Sequence, residues 1–306
     1  MTVPPPDQAV VPRPAGWRIW LMAARPRTLP AAVAPVLVGT SLAWAEGPLD
    51  WLAFAAALLG ALFIQVGTNL SNDYSDARRG ADTEERLGPV RVTAGGLVPP
   101  RQVLIATYAS FGLAILFGVY LIYVAGPVLL LIGAASILAG VLYTGGPRPY
   151  GYEGFGELFV FTFFGLVAVT GSYYVQRVSL EWEAVALAVP VGLLASAILV
   201  VNNVRDLDTD RQAGKRTLAV RLGRERTRRL FAAMVALAYL TALTPWLFGS
   251  LGPWVLLVFL TVPIAVPLVR TVSTRSDGPT LNEALARTGL LEFAFCVLLS
   301  AGVLIG

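Results

Sequence analysis

The chain reads as an all-α, polytopic membrane protein, and three features say so. Of its 306 residues, 56% are hydrophobic and only 14% charged, where a soluble protein carries about 25% charged residues; mean hydropathy is +0.68. Apolar stretches long enough to cross about 30 Å of hydrocarbon recur along the whole chain. Basic residues fall between these stretches in a strongly one-sided pattern.

The elements follow in order. Residues 1–15, "MTVPPPDQAVVPRPA", are Pro-rich and read as a disordered tail. No short apolar region with a small-residue cleavage site follows, so the segment does not read as a signal peptide. Residues 16–306 remain as a single membrane domain. "GWRIWLMAARPR", Gly16 to Arg27, mixes Trp, Leu and Arg; it fits a short interfacial helix or an extension of the first span. Apolar runs then fall near 28–45, 51–71, 102–124, 126–143, 155–176, 184–204, 230–248, 252–269 and 287–305, about nine helices in all. Pro263 and Pro267 interrupt the eighth. Glu157 and Glu292 are the exceptional acids inside spans, and Glu292 is expected to pair with a basic or polar neighbour.

With the N-terminus inside, every one of the 23 Lys and Arg residues except Arg177 lies on the cytoplasmic side. The positive-inside rule asks for such a split. It predicts a multi-pass plasma-membrane protein whose loops after spans two, four, six and eight face the cytoplasm. Net charge +4 then reflects topology and contact with the lipid bilayer, not nucleic acid.

The chain has no His, which excludes His-based zinc sites and Ser-His or Cys-His catalysis. Its one cysteine, Cys296, lies in an apolar run and reads as a buried small hydrophobe.

Two spans end in acids. The second runs into "NLSNDYSDARRGAD", and at about 100° per residue Asn69, Asn72, Asp73, Asp76 and Gly80 share one arc. The sixth runs into "VVNNVRDLDTDRQAGKRT", where Asn202, Asn203, Asp206 and Asp210 share another while Asp208 points elsewhere. The two stripes form a weak internal repeat on one side of the membrane. Facing carboxylates repel unless a cation separates them. Hard oxygen donors without His or Cys suit Mg²⁺, which commonly takes phosphate oxygens as well. Arg78, Arg79, Arg91, Arg205, Arg211, Arg216 and the chain's single lysine, Lys215, interleave with the acids. Carboxylates for a metal beside cations for phosphate oxygens suit a Mg²⁺–diphosphate. At the surface of an apolar bundle, that points to a lipid diphosphate. Aromatic faces can stabilise the carbocation that an allylic diphosphate would release. The Gly/Pro-rich loop "LYTGGPRPYGYEGFGELF" lies on the same side and carries Tyr143, Arg148, Tyr150 and Tyr152; it fits a lid or an acceptor-binding loop.

"NDYSDARRGAD" and "NNVRDLDTDRQAGKRTLAVRLG" resemble the two Asp-rich motifs of the UbiA superfamily of intramembrane prenyltransferases. With "RPRTLPAAVAPVLVG" and "YTGGPRPYGYEGFGELFVFTFFG", they resemble the branch acting on 1,4-dihydroxy-2-naphthoate, from about Arg25 to the end of the chain. The resemblance implies nine helices around a central cavity, with both motifs at its cytoplasmic mouth. It implies Mg²⁺-dependent transfer of a polyprenyl group from polyprenyl diphosphate to 1,4-dihydroxy-2-naphthoate. Diphosphate and CO₂ would be released and demethylmenaquinone formed. Asn72, Asp73, Asp76, Asp206 and Asp210 match the motif positions, with Asp73, Asp76, Asp82, Asp206 and Asp210 as metal ligands. Gly80 stands where many members have another Asp, and Asp82 follows two residues later. Arg78, Tyr143, Arg148, Tyr150, Asn202, Asn203, Lys215 and Arg216 are the substrate-binding candidates. Another ring acceptor, such as 4-hydroxybenzoate, is the alternative within the superfamily. A membrane transporter is the non-enzyme alternative, although it calls for polar groups near the midplane. A CDP-alcohol phosphatidyltransferase needs Gly where Ala77 stands.

Overall fold

The computed structural model describes residues 15–81, 87, 88 and 90–306. They form helices and connecting loops, with no strand among the described residues. Helix α1, Gly16–Ala24, ends at Arg25, whose backbone is left-handed (φ 54°). A 50° bend separates it from α2, Pro30–Glu46. The pair reads as two helices or as one broken span. Ile19 and Ala23 pack it onto the core beside Leu70 and Val103, while Trp17, Trp20 and Leu21 stay exposed.

Helix α3, Trp51–Arg79, carries the first acidic stripe at its C-terminal end. Asp50 caps its start by accepting from the amides of Leu52 and Ala53, both at 2.9 Å. Gly80, with φ 66°, closes it in the left-handed region that suits glycine. Helices α4, Pro100–Ala125, and α5, Val128–Leu142, follow. Exposed side chains on α4 such as Leu116 and Val119 are apolar, as lipid contact requires. Helix α6, Gly156–Val160, passes through a π-helical stretch, Phe161–Val167, into α7, Ala168–Arg177.

Helix α8, Trp182–Gln212, is the most enclosed of the long helices and carries the second stripe. Its small residues let neighbours close on it: a Cβ added at Gly165 would lie 2.5 Å from the Gly192 Cα. The chain then forms α9, Leu218–Leu222, α10, Arg224–Thr241, and α11, Thr244–Leu247. A 3₁₀ stretch, Pro253–Thr261, leads into α12, Val262–Thr274, and α13, Gly278–Ile305, completes the bundle.

The expected count of nine spans is not confirmed. Among the described residues, seven helical segments are long and apolar enough to cross a membrane, or eight with the bent α1–α2 pair as one span. The remaining apolar helix, α5, has 15 residues, about 22 Å at 1.5 Å per residue. Its apolar run is cut short where the backbone turns at Tyr143 and Thr144 into the Gly/Pro-rich loop.

The expected partner of Glu292 is also absent among the described residues. Glu292 is 0% exposed and neither carboxyl oxygen has a hydrogen-bond partner. Leu291, Phe295 and Cys296 around it belong to the apolar core. Arg177, the one basic residue assigned to the far side, sits at the bundle end opposite the acidic stripes. There Tyr173 Oη donates to Glu46 Oε2 at 2.6 Å, and Arg177 Nε lies 3.8 Å from the same oxygen.

Candidate active site at two acidic helix ends

On α3 the stripe divides by depth. Asn69, the deepest member, donates to Ala24 O at 3.0 Å and Thr28 Oγ1 at 3.1 Å, tying α3 to the N-terminal bend. One turn on, Asn72 Oδ1 accepts from Thr144 Oγ1 at 2.9 Å. Asp73, expected among the metal ligands, places both oxygens on the loop before α4, accepting from Val92 N (3.0 Å) and Thr93 N (2.9 Å). Asp76 is 1% exposed. Its Oδ2 accepts from Arg91 Nη2 at 3.0 Å and its Oδ1 from Tyr152 Oη at 2.6 Å. Such charge-assisted bonds are roughly twice as strong as neutral ones.

On α8, buried Asp206 accepts from Arg205 Nε at 2.7 Å. Arg205 also donates to Asn202 Oδ1 at 2.8 Å and Asn282 Oδ1 at 2.7 Å. Asp210 lies 3.8 Å from Lys215 Nζ. Asn203, one turn before Asp206, donates to Glu157 Oε1 at 2.9 Å. Asp208 is exposed and pairs with Arg224 at 2.6 Å, as its position outside the stripe predicts.

Helix α3 packs mainly on α4, and α8 mainly on α10, the π stretch and α13, so direct packing is not what joins the two acidic ends. The loop between α5 and α6 joins them. Tyr152 touches both: its hydroxyl donates to Asp76, its carbonyl accepts from Arg216 N at 2.8 Å, and Lys215 Nζ stands 4.7 Å from its ring centre. Tyr143 lies within electrostatic reach of Glu157, Asp210 and Asp76. Arg79 reaches the same loop from α3, donating to Thr144 O at 3.2 Å and to Gly146 O.

Other expected substrate ligands lie elsewhere. Arg78 turns outward to Tyr74 Oη at 3.1 Å. The Arg148 and Arg216 side chains are exposed. Tyr150 donates its hydroxyl to Ala139 O at 2.8 Å and stacks on Phe159 at 3.9 Å, so it braces the loop. Asp82 lies outside the described residues. Tyr152 was legible only as one loop aromatic among several, Arg91 as one cation among several, and Glu157 as an unusual acid.

The donor set fits Mg²⁺ of one kind. Among the described residues, no three of His, Cys, Asp or Glu cluster tightly enough to cage a metal. Mg²⁺ does not ask for a cage; it commonly uses one or two carboxylates and completes its shell with water and substrate phosphate. Asp76, Asp206 and Asp210 carry such oxygens, each beside a cation suited to phosphate: Arg91, Arg205 and Lys215. Both oxygens of Asp76 and of Asp206 accept from protein donors here, as those of Asp73 do.

Residues 32–297 match the UbiA prenyltransferase family. The chain is 41% identical to the 1,4-dihydroxy-2-naphthoate octaprenyltransferase of Mycobacterium tuberculosis, over 95% of this chain and 99% of that one. It is 37% identical to the enzyme of the same name from Bacillus subtilis, over 95% and 93%, and 39% identical to that of Escherichia coli, over 88% and 89%. Among solved structures it is similar to a UbiA homolog from Aeropyrum pernix K1, with TM-score 0.67 and 16% identity over 94% and 98%. It is also similar to a UbiA homolog from Archaeoglobus fulgidus bound to GPP and Mg²⁺, with TM-score 0.64 and 14% identity over 92% and 99%. The fold, the paired acidic helix ends and these likenesses together make the chain a member of the UbiA prenyltransferase family.

Proposed function

We propose that this integral membrane prenyltransferase moves a polyprenyl group from an allylic polyprenyl diphosphate to 1,4-dihydroxy-2-naphthoate. Diphosphate and CO₂ leave, and the prenylated ring results at the hydroquinone level, demethylmenaquinol, the reduced form of demethylmenaquinone. The relatives named for this acceptor support the reading. The observation that carries the chemistry is the bridge of Tyr152 between the two acidic ends, which makes them one site. Residues 16–306 act as one domain with this mouth on the cytoplasmic side.

Asp76, Asp206 and Asp210 would hold Mg²⁺, with Asp82 a further donor; bound there, the ion stabilises charge on the departing diphosphate. Arg91, Arg205 and Lys215 neutralise the remaining phosphate oxygens. Asp73 fixes the loop that presents Arg91. Arg79 and Thr144 hold the α5–α6 loop over the site, and the loop excludes water from a carbocationic centre. The faces of Tyr143 and Tyr152 offer π density to that centre.

The test presents purified protein in lipid nanodiscs with Mg²⁺, a polyprenyl diphosphate and either dihydroxynaphthoate or 4-hydroxybenzoate. Prenylated product from dihydroxynaphthoate, with CO₂ release, is expected. Product from hydroxybenzoate alone would contradict the assignment.

A further inference from the structure

Glu157 is a buried acid at the active end of the bundle, and the chemistry above leaves it without a task. It is 5% exposed, on the first turn of α6. Three contacts fix it. Its Oε1 accepts from Asn203 Nδ2 at 2.9 Å, and its backbone carbonyl accepts from Ser196 Oγ at 3.0 Å, both on α8. The π stretch that follows closes on α8 through Gly165 and Gly192. π-helical turns often mark functional positions, and this one lies directly beyond Glu157.

Its other oxygen, Oε2, is buried with no hydrogen-bond partner among the described residues. An ordinary structural carboxylate satisfies both oxygens, because each unsatisfied one costs free energy. Asn203 is one helical turn before Asp206, on the membrane side of the acidic mouth. Tyr143 links the two regions: a Cβ at Gly156 would lie 3.6 Å from Tyr143 Oη, and Tyr143 is in electrostatic reach of Glu157, Asp210 and Asp76. A fixed acid with one unused oxygen therefore lies just deeper than the diphosphate-binding residues. The ring that attacks the prenyl carbon must come to this depth.

We propose that Glu157 Oε2 receives a ring hydroxyl of the aromatic acceptor and takes its proton during prenyl transfer. This inference rests on the prenyl-transfer reading above. The ring carbon beside that hydroxyl, the one that bears the carboxylate, bonds to C1 of the prenyl chain as the C1–oxygen bond breaks, and the electron pair leaves on diphosphate. The hydroxyl proton moves to Oε2 and its oxygen becomes a ring ketone. Loss of the acceptor carboxylate as CO₂ leaves one negative charge on the ring, and Glu157 returns the proton to neutralise it. Asn203 keeps the carboxyl turned so that Oε2 is the free atom. The acceptor class is a phenol, bound through its hydroxyl and not its carboxylate, which a second carboxylate would repel.

Glu157→Gln tests this, because glutamine keeps the volume and an acceptor for Asn203 yet cannot take the proton. In nanodiscs with Mg²⁺, polyprenyl diphosphate and dihydroxynaphthoate, kcat should fall about 100-fold, in the range general-base catalysis contributes. KM for the prenyl diphosphate should stay within about twofold. Glu157→Asp should recover at least about tenfold over Glu157→Gln, at an unchanged melting temperature. If Glu157→Gln keeps more than about a third of wild-type kcat, the proposal is overturned. It is equally overturned if both variants lose activity alike with a lowered melting temperature, as a purely structural role requires. If the wild-type protein prenylates 4-hydroxybenzoate and not the naphthoate, the acceptor assignment alone fails, and the same comparison with hydroxybenzoate still decides the role of Glu157.

Discussion

Asp76 holds two partners that are far away in sequence, Arg91 and Tyr152. The stripe containing Asp76 was legible because helical periodicity fixes which residues share a face. Its partners were not, because periodicity says nothing about contacts across 76 residues. The same limit hid the Asn203–Glu157 pair, and it put Arg78 rather than Arg79 among the substrate-binding candidates although only Arg79 reaches the loop. Asp73 shows another limit: its type and spacing suit a metal, while its oxygens anchor backbone amides. Removing the Tyr152 hydroxyl takes a hydrogen bond to a charged group, typically about 1.5–3 kcal/mol. Tyr152→Phe should therefore lower kcat/KM for the prenyl diphosphate by about 10- to 100-fold while the protein still elutes as a folded species. Steady-state kinetics on the purified variant check this, and unchanged kinetics would reduce the bridge to a packing contact.

Among the elements, α3 and α8 announced themselves by long apolar runs ending in Asn and Asp. The break after α1 did not, because Arg25 takes a left-handed backbone in a segment whose composition also suits a continuous helix. The π stretch was equally hidden, since it depends on how closely α8 approaches. Gly165 and Gly192 make that approach possible. Gly165→Ala must push backbone apart, and overpacking of this kind typically costs about 1–3 kcal/mol. The expected result is a lowered melting temperature in detergent, together with reduced kcat because α6 and Glu157 shift with the π stretch. A melting temperature equal to wild type would show that the contact yields easily.

For the whole molecule, composition and charge placement gave the membrane class, and the family match over residues 32–297 agrees with it. The span count was less legible, because a run of apolar residues does not say where the backbone turns, as it does after Leu142. The far-side cluster of Glu46, Tyr173 and Arg177 lies opposite the acidic mouth, so orientation can be read from both ends. Cys296 is buried, which leaves introduced cysteines to report. Arg148→Cys should react with an impermeant maleimide only from the cytoplasmic side, and Glu181→Cys only from outside. The reverse pattern would overturn the orientation. The central claim is that two acidic helix ends act as one Mg²⁺–diphosphate site, and its most direct test is turnover by purified Asp76→Asn and Asp206→Asn proteins in nanodiscs at saturating Mg²⁺. The account predicts that each variant folds and loses activity by about a thousandfold or more, a size set by lost transition-state charge stabilisation; near-wild-type turnover in either would contradict it.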